Sequence, residues 1–391
     1  MNHKKRNLKV QFDRTPEQID LVKRAGSTNK TESTAAMEAI AAVMAAPMLQ
    51  SIEQAPVISN LYQTLTVSDG QPTNILLDDY FDIRARNFLN IWTASQPGGT
   101  ATNFVQGATE YFVQTYPIES AQSFNKNYLR AGDIDHLARG LTRLMQEIIL
   151  LQETNAAFVL FNSLAGARVD GNSGNSATNN LVGCRTTTAG RFQMDDFNTL
   201  LEGYDNVTSS WAGGTPLGTV GDISDLLGSP KWMGQIRSIA YQPQNTVAGS
   251  FNTSGATALA APESVRAAAW ATGGIPTLFD KVLHKVYEMG MGKNYNNVFS
   301  TAIGSTALPG FGAGYGGGST STFATATQEV IVGLNADMFD LARLRVMERN
   351  SEFSLMNDDT FSQRSKKVGL VGGLTEGYVS VEGRAKFFVV M

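Results

Sequence analysis

The chain has 391 residues and carries 31 basic and 35 acidic side chains, a formal net charge of −4. Its length is enough to bury a sizeable core and is typical of two or three packed units. The near balance of charge excludes a protein whose whole surface binds nucleic acid or a membrane. Cys184 is the only cysteine, so no intrachain disulfide can form and a reducing compartment is expected.

Basic residues are concentrated at the beginning of the chain. Residues 1–30 contain eight lysines and arginines against three carboxylates, a net charge of +5. Candidate contacts to a scaffold protein or to DNA are Lys4, Lys5, Arg6 and Lys9. The alternative interpretation is a solvated, mobile tail. Residues 34–46 predict a helix, and their apolar stretch, which ends at Pro47, is too short for a signal peptide or a spanning helix.

The segment 80–124 predicts an extended arm. Apolar residues at 81, 83 and 85 alternate with charged residues at 82, 84 and 86, a period of two that is typical of a strand. A Pro-Gly-Gly turn follows at 97–99, and the aromatic-rich residues 110–116 return to strand chemistry. A two-stranded ribbon of this length is marginal in water, so we expect a neighbouring subunit to cover it.

The arm leads into a long amphipathic helix, predicted over residues 133–164. Asp133 or Asp135 would cap its start, and Gly166 would end it. A long core helix of an α/β enzyme is the alternative interpretation. The predicted buried face repeats at steps of three and four and consists of Ile134, Leu137, Leu141, Leu144, Met145, Ile148, Leu151 and Phe158.

Shorter elements follow. Ser229-Pro230 predicts a helix start, with Trp232, Met233, Ile236 and Ile239 or Ala240 on the buried side. Asp195 or Asp196 predicts another helix start. Residues 329–334 resemble a strand, and 341–347 fit both a helix and a strand. Residues 379–389 alternate apolar with polar, with Lys386 on the polar face, and predict a final strand paired into a sheet.

Motifs for catalysis are not found. The glycine-rich residues 312–317 have the spacing of a dinucleotide loop, but no helix start follows them, and the sequence has neither a phosphate-loop lysine motif nor a Gly-x-Ser-x-Gly elbow. His3, His136 and His284 are far apart, so structural or surface roles are expected. We therefore expect a protein that is not an enzyme and that has no cofactor and no metal.

The order of the parts resembles the major capsid protein of tailed bacteriophages, whose icosahedral shell fold is shared with encapsulating nanocompartments and herpesvirus capsid floors. The resemblance is based on a charged start, an extended loop, a long helix, a middle α/β region and a return to a final strand. The return passes through residues 335–339, 357–361 and 365–369. The resemblance implies an α+β fold with five parts. They are an N-terminal arm (1–50), an N-terminal segment with the extended β-hairpin loop (51–131), the spine helix with the start of the peripheral domain (132–190), an axial domain (191–334) and a return to the peripheral domain (335–391).

The same resemblance implies a structural function. Hexamers and pentamers would form an icosahedral head around double-stranded DNA, assembled in the host cytoplasm and present in the virion, with portal, scaffold and cement proteins as further partners and no membrane. Arg84, Arg86, Trp92 and Phe104 would contact adjacent subunits; for the two aromatic residues, burial in their own subunit is the alternative. The other classes considered are a nanocompartment shell and an α/β enzyme with a long surface hairpin.

Some members of that family join subunits by an isopeptide bond from a lysine of the extended loop to a neighbour's asparagine. This chain has no lysine between Lys30 and Lys126, so its arm lacks the nucleophile. A shell held by non-covalent contacts alone is therefore expected.

Overall fold

The computed structural model has a mixed α+β fold, as predicted from the sequence. It describes residues 14–78, 108–166, 183–186, 190–192, 196, 198, 201, 223–241, 277–278, 280–304, 322–335, 341–347, 351–358, 366–380 and 386–391. The chain divides into two compact units. Unit 1 consists of Met1–Ile75, Tyr111–Ala157 and Ala342–Val379, and unit 2 of Leu76–Glu110, Phe158–Leu341 and Ser380–Met391.

The described helices are α1 (Pro16–Ala25), α2 (Lys30–Gln54), α3 (Lys126–Arg130), α4 (Ile134–Gly166), α5 (Pro230–Tyr241) and α6 (Asn294–Ile303). A short 3-10 turn spans Ser59–Leu61. The described strands are β1 (Gln63–Ser68), β2 (Asn74–Asp78), β3 (Ala108–Phe112), β4 (Tyr116–Asn125), β5 (Gly183–Arg185), β6 (Asp225–Gly228), β7 (Thr277–Leu278), β8 (Lys281–Lys285), β9 (Val330–Leu334), β10 (Leu341–Met347), β11 (Ser354–Asp358), β12 (Lys367–Ser380) and β13 (Lys386–Val390).

The N-terminal helices belong to the core of unit 1. Thr15 caps α1 and Asn29 caps α2, each accepting a backbone N–H at the helix start. Since α1 buries Val22 and Ala25, the mobile-tail interpretation is wrong for residues 16–25. Helix α2 is longer than predicted because it continues through Pro47. By length and hydropathy it could cross a membrane, but its buried side chains lie in the hydrophobic core of unit 1.

The sheet of unit 1 is built around the long strand β12. Strand β4 pairs antiparallel with one edge of β12, from Asn125↔Lys367 to Tyr116↔Glu376. Strand β11 pairs with its other edge, β10 also pairs with β12, and β1 adds in parallel to β10. The predicted arm is therefore wrong for residues 116–124, which pair with their own chain. Its sequence alternation buries Ile118 and Phe124 in the core of the same unit.

Helix α4 confirms the predicted long helix. Asp133 accepts the backbone N–H of His136 at 3.1 Å, as a cap should. The first six residues of the predicted face are buried, but Leu151 is 43% and Phe158 56% exposed, so the prediction is wrong for these two. Beyond Ile148 the buried side recurs at steps of three and four without these two positions, as one side of a 3.6-residue helix does. Its members are Gln152, Ala156, Ala157, Leu160, Phe161 and Leu164.

Unit 2 contains a six-stranded sheet in the order β5-β13-β9-β6-β8-β7. The final strand, β13, is paired on both edges, as expected for a chain end that stays regular, but the first residues of the predicted strand 379–389 belong to the end of β12. The ambiguous segment 341–347 is a strand, β10. Lys386 is nevertheless only 2% exposed, which contradicts its predicted outward position, because every residue of this central strand is buried. Ser229 caps α5 as predicted, and Trp232 and Ile236 are buried, whereas Met233 is only half-buried. The predicted return segment 335–391 is thus divided between the two units.

Candidate assembly surface and buried polar network

The predicted assembly residues lie outside the described residues. This holds for Arg84, Arg86, Trp92 and Phe104 and for the basic residues Lys4, Lys5, Arg6 and Lys9. The structure does describe the two strands on either side of residues 79–107. These strands, β2 and β3, pair with each other as a separate two-stranded sheet, which we call the stem.

The chain that continues from the stem is anchored in unit 1. The N–H of Val113 donates to the carbonyl of Thr73 at 3.0 Å. Gly377 of β12 permits close approach here, since a Cβ at this position would lie 2.5 Å from the carbonyl oxygen of Gln114. Phe112, the last stem residue, is 73% exposed. The stem therefore ends in a firmly held backbone that presents an uncovered aromatic ring.

Helix α4 also presents large apolar side chains to solvent. Leu150 is 67% exposed and its neighbour Leu151 43%. Phe158, two turns after Leu150, is 56% exposed. Single exposed apolar residues are ordinary, but several on one helix are typical of a surface that a partner covers.

A buried polar network, the Glu376 network, connects the elements of unit 1; its members are Ser59, Gln152, Arg343, Arg345, Glu376 and Tyr378. The Glu376 carboxylate is 0% exposed and accepts from the Tyr378 hydroxyl at 2.6 Å and from Gln152 Nε2 at 3.0 Å. Arg345 Nη2 lies 3.7 Å from the same carboxylate. Burial and the charge of Glu376 together raise the pKa of the nearby Tyr116 to about 12.

The direction of the hydroxyl chain in this network is fixed by its ends. Arg343 Nη1 lies 2.9 Å from Ser59 Oγ, which lies 2.9 Å from the Tyr378 hydroxyl oxygen. A guanidinium can only donate and a carboxylate can only accept, so protons point from Arg343 through Ser59 and Tyr378 to Glu376. Burial, with the negative charge of Glu376, raises the pKa of Tyr378 and keeps its phenol protonated as a donor.

Glu153 fastens helix α4 to the turn before β1. Its carboxylate accepts three consecutive backbone N–H groups, from Val57 at 3.1 Å, Ile58 at 2.8 Å and Ser59 at 3.2 Å. Burial raises the pKa of Glu153, although the three N–H bonds act in the opposite direction. Because Ser59 also belongs to the Glu376 network, the helix, the turn and strand β12 form one closed ring of hydrogen bonds.

Arg345 contacts three carboxylates in the same core. Its Nη1 lies 2.6 Å from Glu352 and 3.2 Å from Glu53, in addition to the Glu376 contact. A fully buried guanidinium is stable only when such partners compensate its desolvation. The printed contacts of the Glu376 network are with structural groups of the same unit, so its role is positional: it holds α2, α4, β10 and β12 together.

In unit 2, Ser224, Asp225 and His284 form a cluster that contains the residue types of a hydrolase triad. Ser224 Oγ donates to Asp225 Oδ2 at 2.6 Å, and His284 Nε2 lies 2.6 Å from Asp225 Oδ1. Serine and histidine thus use opposite oxygens of one carboxylate, so His284 is not placed to take the serine proton. Within the described ranges, no group of three or more His, Cys, Asp or Glu could hold a metal ion.

Sequence reasoning missed both polar clusters. Glu376 and Gln152 are 224 positions apart, and Asp225 and His284 are 59 apart, so only the strand pairing and the helix packing bring them together. The available signal was Arg343 and Arg345 inside the apolar segment 341–347, because a buried arginine requires a carboxylate partner.

Comparison with solved structures returns proteins that form shells. The chain is similar to the capsid of the cyanophage P-SCSP1u, at 12% identity and a TM-score of 0.45, over 86% of this chain and 88% of that one. It is similar to a virus-like particle from Pyrococcus furiosus, at 8% identity and a TM-score of 0.41, over 89% and 97%. A third similar structure is the SrpI encapsulin complex from Synechococcus elongatus, at 12% identity and a TM-score of 0.41, over 84% and 85%.

No family model matches the sequence, and no curated protein matches it.

Proposed function

We propose that the chain is a major capsid protein that assembles into hexamers and pentamers and forms an icosahedral phage head around double-stranded DNA. The observation that supports this most is the stem. Strands β2 and β3 form a sheet of their own at the two ends of residues 79–107. A two-stranded sheet gains stability when other protein packs on it, and a subunit of a shell provides that protein in trans.

The surroundings of the stem support an assembly role in three ways. Residues 79–107 contain only Asp79, Asp82, Arg84 and Arg86 as charged residues, so the segment is suited to burial against protein. Phe112, on the strand that follows this segment, is an exposed apolar side chain, and Leu150 is another on α4. The closed ring through Glu153 and Glu376 fixes α4 against the sheet of unit 1, which gives the stem a rigid base.

On this proposal the residues beyond the described ranges have specific roles. Arg84, Arg86, Trp92 and Phe104 contact adjacent subunits. Lys4, Lys5, Arg6 and Lys9 contact DNA or a scaffold protein. Portal and cement proteins are further partners, and the assembled protein is located in the virion capsid.

The experiment is expression of the chain alone, followed by size-exclusion chromatography and electron microscopy of the high-mass fraction. Closed shells or rings of capsomers are the expected result, and a homogeneous monomer or dimer at all concentrations contradicts the proposal. The nucleic acid content of particles from the native source separates two kinds of shell. Packaged double-stranded DNA identifies a phage head, whereas an enclosed protein cargo without a genome identifies a nanocompartment.

A further inference from the structure

Strand β1 forms an outer edge of the sheet of unit 1. Among the described strands it pairs only with β10, in parallel. The N–H of Asp69 donates to the carbonyl of Met347 at 3.2 Å, so the alternate residues before Asp69 direct their backbone groups to β10. Thr64, Thr66 and Ser68 therefore direct theirs away from β10, and all three residues are exposed.

One end of this edge is closed by the turn that follows it. The side chain of Gln71 accepts the N–H of Ser68 at 3.2 Å, and the N–H of Gln71 donates to the Ser68 carbonyl at 3.1 Å. The part of the edge that can receive another strand is therefore centred on Thr64 and Thr66.

Strand β1 lacks the features by which natural edge strands avoid pairing. Its sequence, Gln-Thr-Leu-Thr-Val-Ser, contains no charged residue and no proline, and Leu65 and Val67 are only half-buried. Strand β4, another edge strand of the same sheet, contains Pro117 and Glu119. Since proline removes a backbone donor and a charge opposes burial, β4 is protected and β1 is not. An edge of this kind is a template for an added strand.

A matching strand pattern precedes the described part of the chain. In Leu8-Lys9-Val10-Gln11-Phe12 apolar residues alternate with polar ones, so one face of an extended segment 8–12 is apolar. That face suits the half-buried side of Leu65 and Val67. Lys4, Lys5 and Arg6 precede the segment and Asp69 follows β1, so an antiparallel arrangement brings opposite charges together.

The segment cannot lie on β1 of its own copy. Arg14 is held at the start of α4, where its guanidinium donates to both carboxylate oxygens of Asp135 at 2.8 and 2.9 Å. Tyr62, which precedes β1, donates to the carbonyl of Ala156 at 2.7 Å. The helix from Asp135 to Ala156 is about 32 Å long, whereas the chain from Arg14 to Phe12 spans at most about 7 Å. Even with the lengths of the side chains added, this reach is too short, so the segment must come from a second copy.

We propose that residues 8–12 of one copy add as an antiparallel strand to the open edge of β1 in a neighbouring copy. Val10 lies opposite Leu65, and the backbone groups of Lys9 and Gln11 bond to those of Thr66 and Thr64. The Lys9 side chain stays on the other face, where it can still contact DNA or a scaffold protein. This inference rests on the proposed function, because it names one contact between subunits of the shell.

Disulfide trapping in the full chain tests this pairing. Val10→Cys and Leu65→Cys are introduced separately into chains that carry Cys184→Ser, and the two variants are co-expressed and oxidised. In a pair of opposed residues that do not exchange hydrogen bonds the Cα atoms are about 4.5 Å apart, which a disulfide can span. The expected result is a band of two chains that reductant removes and whose linked peptides contain residues 10 and 65.

The control replaces Val10→Cys by Lys9→Cys, one residue away in sequence but on the opposite face of the strand. It should give no linked band. Equal trapping from residues 9 and 10, no trapping from either, or a bond within one chain when both substitutions are combined overturns the proposal.

Thr66→Pro provides a second measurement that needs no new cysteine. It removes an N–H that faces the open edge and leaves the bonds from β1 to β10 in place, so the melting temperature of the dissociated chain should stay close to that of Thr66→Val. Sedimentation velocity should show a loss of assembled particles for Thr66→Pro and not for Thr66→Val. Equal assembly of the two variants contradicts the pairing.

Electron microscopy of the same samples separates this inference from the proposed function. Closed shells without the bond between residues 10 and 65 refute the strand pairing and leave the capsid function intact. A chain that never associates refutes both.

Discussion

Gly140 is a position at which helix α4 lies against strand β4 of unit 1. A Cβ at this residue would stand 2.2 Å from Cε1 of Phe124 on β4 and 2.6 Å from its Cζ. Phe124 is itself buried at 2% exposure, so its ring has little room to move. The absence of a side chain at residue 140 therefore sets the distance between the helix and β4.

We expect Gly140→Ala to destabilise the folded chain, although alanine is the better helix former. Overpacking a core costs about 1–3 kcal/mol, whereas the gain in helix propensity is only about 1 kcal/mol. The measurement is the midpoint of urea unfolding. Gly234→Ala is the control, because a Cβ there meets nothing closer than the Arg237 side chain at 3.8 Å, so this variant should be more stable. A stabilised Gly140→Ala variant would show that α4 and β4 are further apart than described.

Glu153 predicts a pH dependence with a definite sign. Burial raises its pKa above the ordinary value of 4.5, so the folded chain holds this proton more tightly than the unfolded chain does. Stability contributed by the protonated form is present below pH 4.5 and is lost as the pH rises through the folded pKa. Compared with Glu153→Gln, the wild-type melting temperature should therefore decrease as the pH rises through this window.

Glu147 predicts a pH dependence of stability with the opposite sign. The hydrogen bond from Ser120, assisted by Arg143 and Gln122, lowers its pKa despite some desolvation. The stability that the ionised Glu147 contributes to the folded chain is present above the ordinary pKa of 4.5 and is lost as the pH falls through the folded pKa. Glu147→Gln should therefore reduce the acid sensitivity of melting, by a small amount because the side chain is 43% exposed. Identical pH profiles for the two variants would refute the assigned causes.

At the scale of elements, the sequence predicted the helices better than the strands. The cap at Asp133, the period of α4 as far as Ile148 and the Ser229-Pro230 start are local signals, and all three are present in the structure. The sequence predicts a projecting arm where the structure has β4, because alternation indicates a half-buried strand but does not identify the strand that pairs with it. The partner, β12, lies more than 240 residues away. The predicted outward position of Lys386 is wrong for a similar reason. Burial of both faces of a strand depends on neighbouring elements that the local sequence pattern does not contain.

The role of residues 79–107, the segment between the two stem strands, can be tested by deletion. Removing residues 79–107 and joining Asp78 to Ala108 by a short Gly/Ser turn retains β2, β3 and the whole sheet of unit 1. We expect a folded chain with wild-type circular dichroism that does not form closed shells, because the segment that reaches a neighbour is missing. Sedimentation velocity measures the outcome. A permutation of the sequence within 79–107 is the control for length, and normal shells from the deletion variant would refute the arm's role.

At the scale of the whole molecule, the composition predicts how the shell is held together. The absence of lysine between Lys30 and Lys126 leaves the arm without an amine nucleophile, and the single cysteine cannot form an extended disulfide network. Mature particles boiled in detergent with reductant should therefore give one band near 42.1 kDa on a gel. A ladder of multimers that survives reduction would mean that a covalent bond of another kind joins the subunits.

Cryo-electron microscopy of particles assembled from the full chain tests the central claim most directly. The account predicts closed icosahedral shells in which residues 79–107 extend from the stem and lie on an adjacent subunit, with Trp92 and Phe104 in that contact. A chain that remains monomeric, or a particle in which residues 79–107 of every subunit lie on their own unit 1, would contradict it.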